Sequence, residues 1–431
     1  MKVGKTIILG ALGLVIGIGG NQPARIGAAR RPSILRVVSE RATVSQYKLT
    51  GGTIYKDDSL TKVKGKASQY SDNVFYSNET ITVKRPNGKR AIYRTLANRY
   101  GKDFGYIWHG YATKIKDLSW NFGDFDAPTK DSDNESKYFN ASELEKINQI
   151  RTAAGNINND TKNIYAVKPA LSGQFNPGKL NDTYINGTVD WINLYRSLYG
   201  LSSVVANPDW NVEAQYGAAT LAAADEGLSH GLVGISKPGN ISEDDWDRGA
   251  TATNSSNLAV GLVSPEGNVT EYLNDEDNDV PGHRDWLLGG ITQVGVGQAA
   301  NYNDLKVFDR ENYQENTPAA AIEFPNSGVF PYEAVSETRW SLSIPQKIDG
   351  DSVPSITVYD NTANKAVSVS DISVDNESYG YFGTTVSYDP DENQVKLNHS
   401  YTISISGLPG QPDTSYTTKL FSIDRDSAAN H

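Results

Sequence analysis

The sequence predicts a multidomain chain: a mixed helix and strand (α/β) segment flanked by a small all-β module on its N-terminal side and a β-sandwich on its C-terminal side. Three observations carry that prediction. The chain has 431 residues, against roughly 100 to 200 for one domain. Its hydrophobic pattern changes twice, from alternation to helical spacing and back to alternation. Its charge is divided unevenly: Lys and Arg against Asp and Glu number seven to one over residues 1 to 44, fourteen to six over 45 to 117, and nineteen to forty-four over 118 to 431. The resulting net charge of −11 speaks against a general nucleic-acid binder. The absence of cysteine excludes disulfides, thiolate metal sites, iron–sulfur clusters and cysteine nucleophiles.

The N-terminus reads Met1-Lys2-Val3-Gly4-Lys5, then an apolar run from Thr6 to Ile18, then small and polar residues. A basic start, a short apolar stretch and a cleavage site near Ala28 describe a secretory signal peptide over residues 1 to 28. The run falls short of the ~20 apolar residues that span a bilayer. With no second apolar span, the expectation is an exported chain with no transmembrane span after processing, secreted or wall-associated on a Gram-positive type of envelope. One of its folded modules would hold it to that surface.

Between Tyr47 and Lys116, short alternating runs are broken by turn residues, including Pro86-Asn87-Gly88, so residues 45 to 117 read as the small all-β module. Its +8 charge and its aromatic residues make Lys84, Arg85, Lys89, Arg90, Lys102 and Trp108 candidates for contacting cell-wall polyanions or other surface polymers. A solvated basic face with no partner is the alternative. The stretch Tyr93 to His109, with its Gly105-Tyr106-Ile107-Trp108 ending, resembles the SH3-like and surface-layer-associated wall-binding repeats of bacteria. That resemblance implies the same wall-holding role.

Residues 118 to 187 read as a polar linker with one helix, Ser142 to Ala154, capped by Ser142. The acidic run Asp131 to Glu135 reads as a solvated loop rather than a calcium site, because it lacks the turn glycine and the distal acid. From Thr188 the pattern turns helical. Trp191, Leu194, Tyr195 and Leu198 share one face of a helix that stops at Gly200, and an alanine-rich helix follows from Pro208 to Ala224. A strand begins at Asn257, and another runs from Gln293 to Ala299.

Five motifs then occur in order: Asn193-x-x-Arg196 with Gly200-Leu201, the alanine-rich helix, Leu228-Ser229-His230, Ser256-Asn257-Leu258-Ala259, and Gly282-His283-Arg284 ahead of Val294-Gly295-Val296-Gly297. This set is similar to the bacterial branch of the CAP (SCP-like) superfamily. Over residues 188 to 332 the resemblance implies an alpha-beta-alpha sandwich with a cleft into which His230 and His283 project. It also implies two acids beside the histidines, the first in a Gly-Glu-Asn-Leu motif. Here that tetrapeptide reads Ser255-Ser256-Asn257-Leu258, so Ser256 replaces the carboxylate; Glu271 and Asp275 are the nearest candidates for the second acid.

The cleft would thus be lined by His230, His283, Ser256, Asn257, Glu271, Asp275 and Arg284. Imidazole suits either proton transfer or a divalent metal, so His230 and His283 are candidates both as catalytic groups and as ligands of an ion such as Zn2+. Three readings stay open: side chains that only hold the fold together, a cleft for a ligand or metal, and a hydrolase acting on wall peptide or glycan. No Gly-x-Ser-x-Gly elbow surrounds Ser256, which counts against a serine nucleophile. Residues 338 to 425 alternate again between Pro and Gly turns and predict an immunoglobulin-like sandwich, in which Asp389-x-Asp391-x-Asn393 reads as a hairpin turn.

Overall fold

The computed structural model describes residues 33–39, 44–57, 59–70, 73–77, 79–85, 89–97, 103–118, 135–275, 278–308, 317–335, 338–348 and 353–423. The signal-like residues 1 to 28, the turn Pro86-Asn87-Gly88, Lys102, Asp131 to Asn134 and His431 lie outside the described residues. The chain forms two compact units.

The first unit is an antiparallel β half-barrel built from nine strands, beginning with Ser33–Ser39 and ending with Ala112–Leu118. The strand Ser33–Ser39 pairs with Glu79–Lys84, so the sheet starts before residue 45. Alternation along the strands buries Ile54, Phe75, Leu96, Phe104 and Ile107 in one small core, while Ile81, Val83 and Tyr93 form a second. Phe75 and Phe104 pack at 4.7 Å between ring centroids.

The second unit opens with helix α1, Ala141–Gly155. Asn140, not Ser142, is its cap: Asn140 Oδ1 accepts the Glu143 N–H, and the Glu143 carboxylate accepts the Asn140 N–H at 2.8 Å. This is a capping box, and the Glu three residues on decides which polar residue begins the helix. From Glu135 onward the stretch read as linker is built into the unit. Ile147, Ile150, Ile164 and Leu180 join the large core, and Arg151 pairs with Glu135 while donating to Ser422 O. Its apolar positions are few and widely spaced among Asn and Asp, so local polarity hides their burial.

The central sheet orders its strands as Val205–Ala206, Gln293–Ala299, Tyr302–Lys306 and Ser256–Val260. Helices α3 (Pro208–Ala224) and α4 (Glu243–Thr253) cover one face; α2 (Asp182–Leu198), α5 (Pro265–Asn274) and α6 (Gly282–Leu288) cover the other. This is the expected three-layer arrangement. The close seat of α3 depends on Gly295 and Gly297, where any Cβ would collide with the backbone at Trp210 and Ala214. Asn193 exchanges hydrogen bonds with the Val204 backbone, and Arg196 donates to the carbonyls of Ser202, Leu287, Gly289 and Ile291. The first motif is therefore a clamp between α2 and α6.

Beyond the central domain lie a four-stranded and a five-stranded sheet. Trp340 of one packs on Tyr401 of the other at 5.8 Å, so they share a core. The strands Ile322–Phe324 and Gly328–Pro331 pair into these sheets. The C-terminal region therefore begins before residue 332.

Candidate functional site

The site residues of the central domain divide between the two faces of its sheet. Successive side chains of a strand point to opposite faces. Asn257 turns toward α5 and α6, where its Nδ2 donates to His283 O at 3.0 Å. Ser256 turns toward α4, where its Oγ donates to Ala252 O at 2.8 Å. It is buried, and no hydrogen bond joins it to His283 among the described residues.

His283 sits in the first turn of α6 and is held by Asp275, the left-handed residue that ends α5. Asp275 Oδ1 meets His283 Nδ1 at 2.8 Å, and Oδ2 accepts the His283 backbone N–H at 2.8 Å. One buried carboxylate thus caps the helix and orients the ring. Burial works against a charged imidazole, but the Asp275 carboxylate and then Glu271 draw the His283 pKa above its usual value. Burial likewise opposes ionisation of Asp275, yet His283 and Arg284 hold it below the ordinary carboxylate range. Tyr272 packs its ring edge-on to His283 at 5.5 Å and donates to Asn303 Oδ1 at 2.7 Å. With Nδ1 committed, His283 presents Nε2 on a side chain that is 16% exposed.

His230 is exposed on a short turn after α3, its Nδ1 held by Thr253 O at 2.7 Å. Each imidazole is thus anchored through Nδ1 by its own partner. The described residues contain no group of three or more His, Asp or Glu side chains that could hold a metal ion. A structural zinc site needs about four donors at ~2.0–2.1 Å, and no cluster of three such side chains occurs among the described residues.

Arg284, expected at the cleft, is 1% exposed and belongs elsewhere. It donates to Leu273 O, Asn274 O, Ser341 Oγ and Thr338 Oγ1 and lies over the Phe324 ring at 3.8 Å. Its guanidinium fastens α5 and α6 to the C-terminal sheet, where a ligand cannot reach it. Asp285 beside it accepts from Ser343 Oγ and Thr385 Oγ1, both at 2.6 Å, and burial pushes its pKa up to about 7.

Two further charged groups were not recognised in the sequence. Asp304, fully buried beneath α3 where Gly217 makes room for it, lies beside the Ser256 hydroxyl, and burial pushes its pKa up to about 8. Lys306, two residues on, pairs with Glu213 at 2.5 Å. The pattern Asp304-Leu305-Lys306 inside an apolar neighbourhood was the available signal.

In the first unit, Lys84 and Arg90 face each other across a hairpin, and Arg85 N donates to Lys89 O at 2.8 Å. Arg85, Lys89, Arg90 and Trp108 line one concavity, and Lys84 does not. In the last region, Asp389-x-Asp391-x-Asn393 is a turn: Asp391 Oδ1 accepts the Asn393 N–H at 3.0 Å, and Oδ2 accepts from Gln394 at 2.6 Å.

Residues 189–311 match the model of the CAP family, the cysteine-rich secretory protein family. The chain therefore carries a CAP domain there, here without a cysteine, and the β-rich regions on either side fall outside the match. No curated protein and no solved structure matches the chain. Among the described residues, no helix is long and apolar enough to cross a membrane.

Proposed function

We propose that this is an exported, wall-associated binding protein, in which the CAP domain offers a polar ligand cleft at His283 and the basic β half-barrel holds a surface polymer. The observation that carries the cleft reading is the Asp275–His283 pair: it fixes the orientation of a ring whose side chain is 16% exposed, and among the described residues no nucleophile is hydrogen-bonded to that ring. Ser256, the residue in place of the family's carboxylate, is spent on a backbone carbonyl. Holding of the polymer is supported by the +8 charge over residues 45 to 117 and by the clustering of Arg85, Lys89, Arg90 and Trp108.

The same pair favours a second reading, a wall-modifying hydrolase, since an imidazole oriented by a carboxylate can activate a water. Sedimentation of the full chain with isolated bacterial walls tests the first reading. Binding that a high-salt wash releases supports it; a chain that stays in the supernatant at low salt contradicts the wall-holding role.

A further inference from the structure

We propose that the concavity of the β half-barrel is a binding site for an anionic saccharide, which it takes by ring stacking as well as by charge. This rests on the reading of the half-barrel as the polymer-holding module and gives that module a specific site and ligand chemistry. The cavity measures about 770 Å³, within the ~300–1,000 Å³ range of small-molecule sites.

Its charge is of one sign. Lys66, Arg85, Lys89 and Arg90 line it, and no Asp or Glu does among the described lining residues. Two of these cations are fixed before any ligand arrives. Arg85 Nη2 donates to Tyr93 Oη at 2.5 Å with its guanidinium over that ring, and Lys66 Nζ donates to Thr53 Oγ1 at 2.8 Å. Pre-placed donors lose little conformational entropy on binding an anion.

The remaining wall is aromatic. Trp108 and Tyr111 are 38% and 40% exposed, and their rings meet edge to face at 5.1 Å. That geometry forms a corner with one ring face on each side. The backbone is shaped to keep the rings there: a Cβ at Gly110 would strike the Trp108 ring, and Gly52, at φ +96°, lies against Tyr111 where no larger residue fits. Exposed rings seated on glycine beside fixed cations match a ligand with an apolar ring face and a negative substituent. The C–H face of a pyranose and a phosphate or carboxylate on it meet both demands. A single-stranded nucleic acid also combines rings with charge, but it needs a groove tracking about 4 to 16 nucleotides, and the cations and rings here line one concavity of about 770 Å³.

The test uses the full chain and four soluble probes: dextran phosphate, neutral dextran, inorganic polyphosphate and oligo(dT). The expected result is binding to dextran phosphate in preference to the other three. Trp108→Ala and, separately, Tyr111→Ala should weaken dextran phosphate binding roughly three- to tenfold while leaving polyphosphate binding unchanged. Arg85→Gln with Arg90→Gln should weaken both. Unchanged thermal unfolding identifies the variants that are folded and can be interpreted. Equal loss for both anions on removing Trp108, no loss at all, or tighter binding of oligo(dT) would overturn the site. Sedimentation with walls is scored separately: walls bound regardless of Trp108 leave the wall-holding reading standing without this site, and dextran phosphate bound without walls does the reverse.

Discussion

The CAP domain and the β half-barrel use charge in opposite ways. In the CAP domain the charged residues of the motifs are turned inward and engaged: Arg196 and Arg284 are 3% and 1% exposed, and Asp275 is occupied by the turn it caps. In the half-barrel the cations lie around an open cavity beside exposed aromatic rings. A motif that identifies a fold can therefore consist largely of residues that build it. Side chains remain reachable at His283, which is 16% exposed, and around Trp108.

The largest effect should follow from attacking the inward-turned charge. Arg284→Ala removes the buried guanidinium that bonds Leu273 O, Ser341 and Thr338 and leaves the buried Asp275 and Asp285 without their neighbouring cation, and should cost about 3–5 kcal/mol, read by chemical denaturation. A loss below about 1 kcal/mol would mean the junction relaxes or admits water.

Buried acids sharpen the same contrast through pH. The folded pKa values of Asp285 and Asp304, about 7 and about 8, lie above the unfolded value of about 3.9. The folded chain thus holds more protons than the unfolded one between those limits. Stability should fall as pH rises from about 4 to 8 and then level off. Asp304→Asn should flatten the upper part of that slope and stabilise the chain at pH 9 by on the order of 1–3 kcal/mol; an unchanged slope would remove Asp304 as its cause. The Asp275–His283 pair opposes that slope at its acid end and adds to it at its alkaline end. Its contribution is lost as acid protonates Asp275 and as alkali deprotonates His283 through its raised pKa.

A smaller difference should separate the two histidines. His283→Ala removes a donor from a buried carboxylate and should cost about 1–3 kcal/mol; His230→Ala, at an exposed ring on a turn, should stay within about 0.5 kcal/mol. Equal costs would show that the rings are not anchored as differently as their partners indicate.

The sequence was most legible where local chemistry and packing agree. Pro208 and the alanine-rich run that follows give α3 its start and its close-packing face, and alternating Val and Gly mark the strand Gln293–Ala299. It was least legible where a polar residue's role depends on distant chain. Arg284 reads as a cleft residue until Ser341 and Thr338, more than fifty residues away, appear on its guanidinium. Asp304 shows nothing locally of the room that Gly217 leaves for it, and Asn140 shows itself as a cap only through its reciprocal bonds with Glu143.

The proposed reading is that the CAP domain binds a ligand at His283, with a wall-modifying hydrolase as its rival. The direct measurement is release of soluble peptide and of new reducing ends from isolated walls incubated with the full chain, with and without Zn2+, beside His230→Ala and His283→Ala. The account predicts no release above that of walls alone in any arm. Reproducible release that disappears with His283→Ala would contradict it and make the Asp275–His283 pair the general base of a hydrolase.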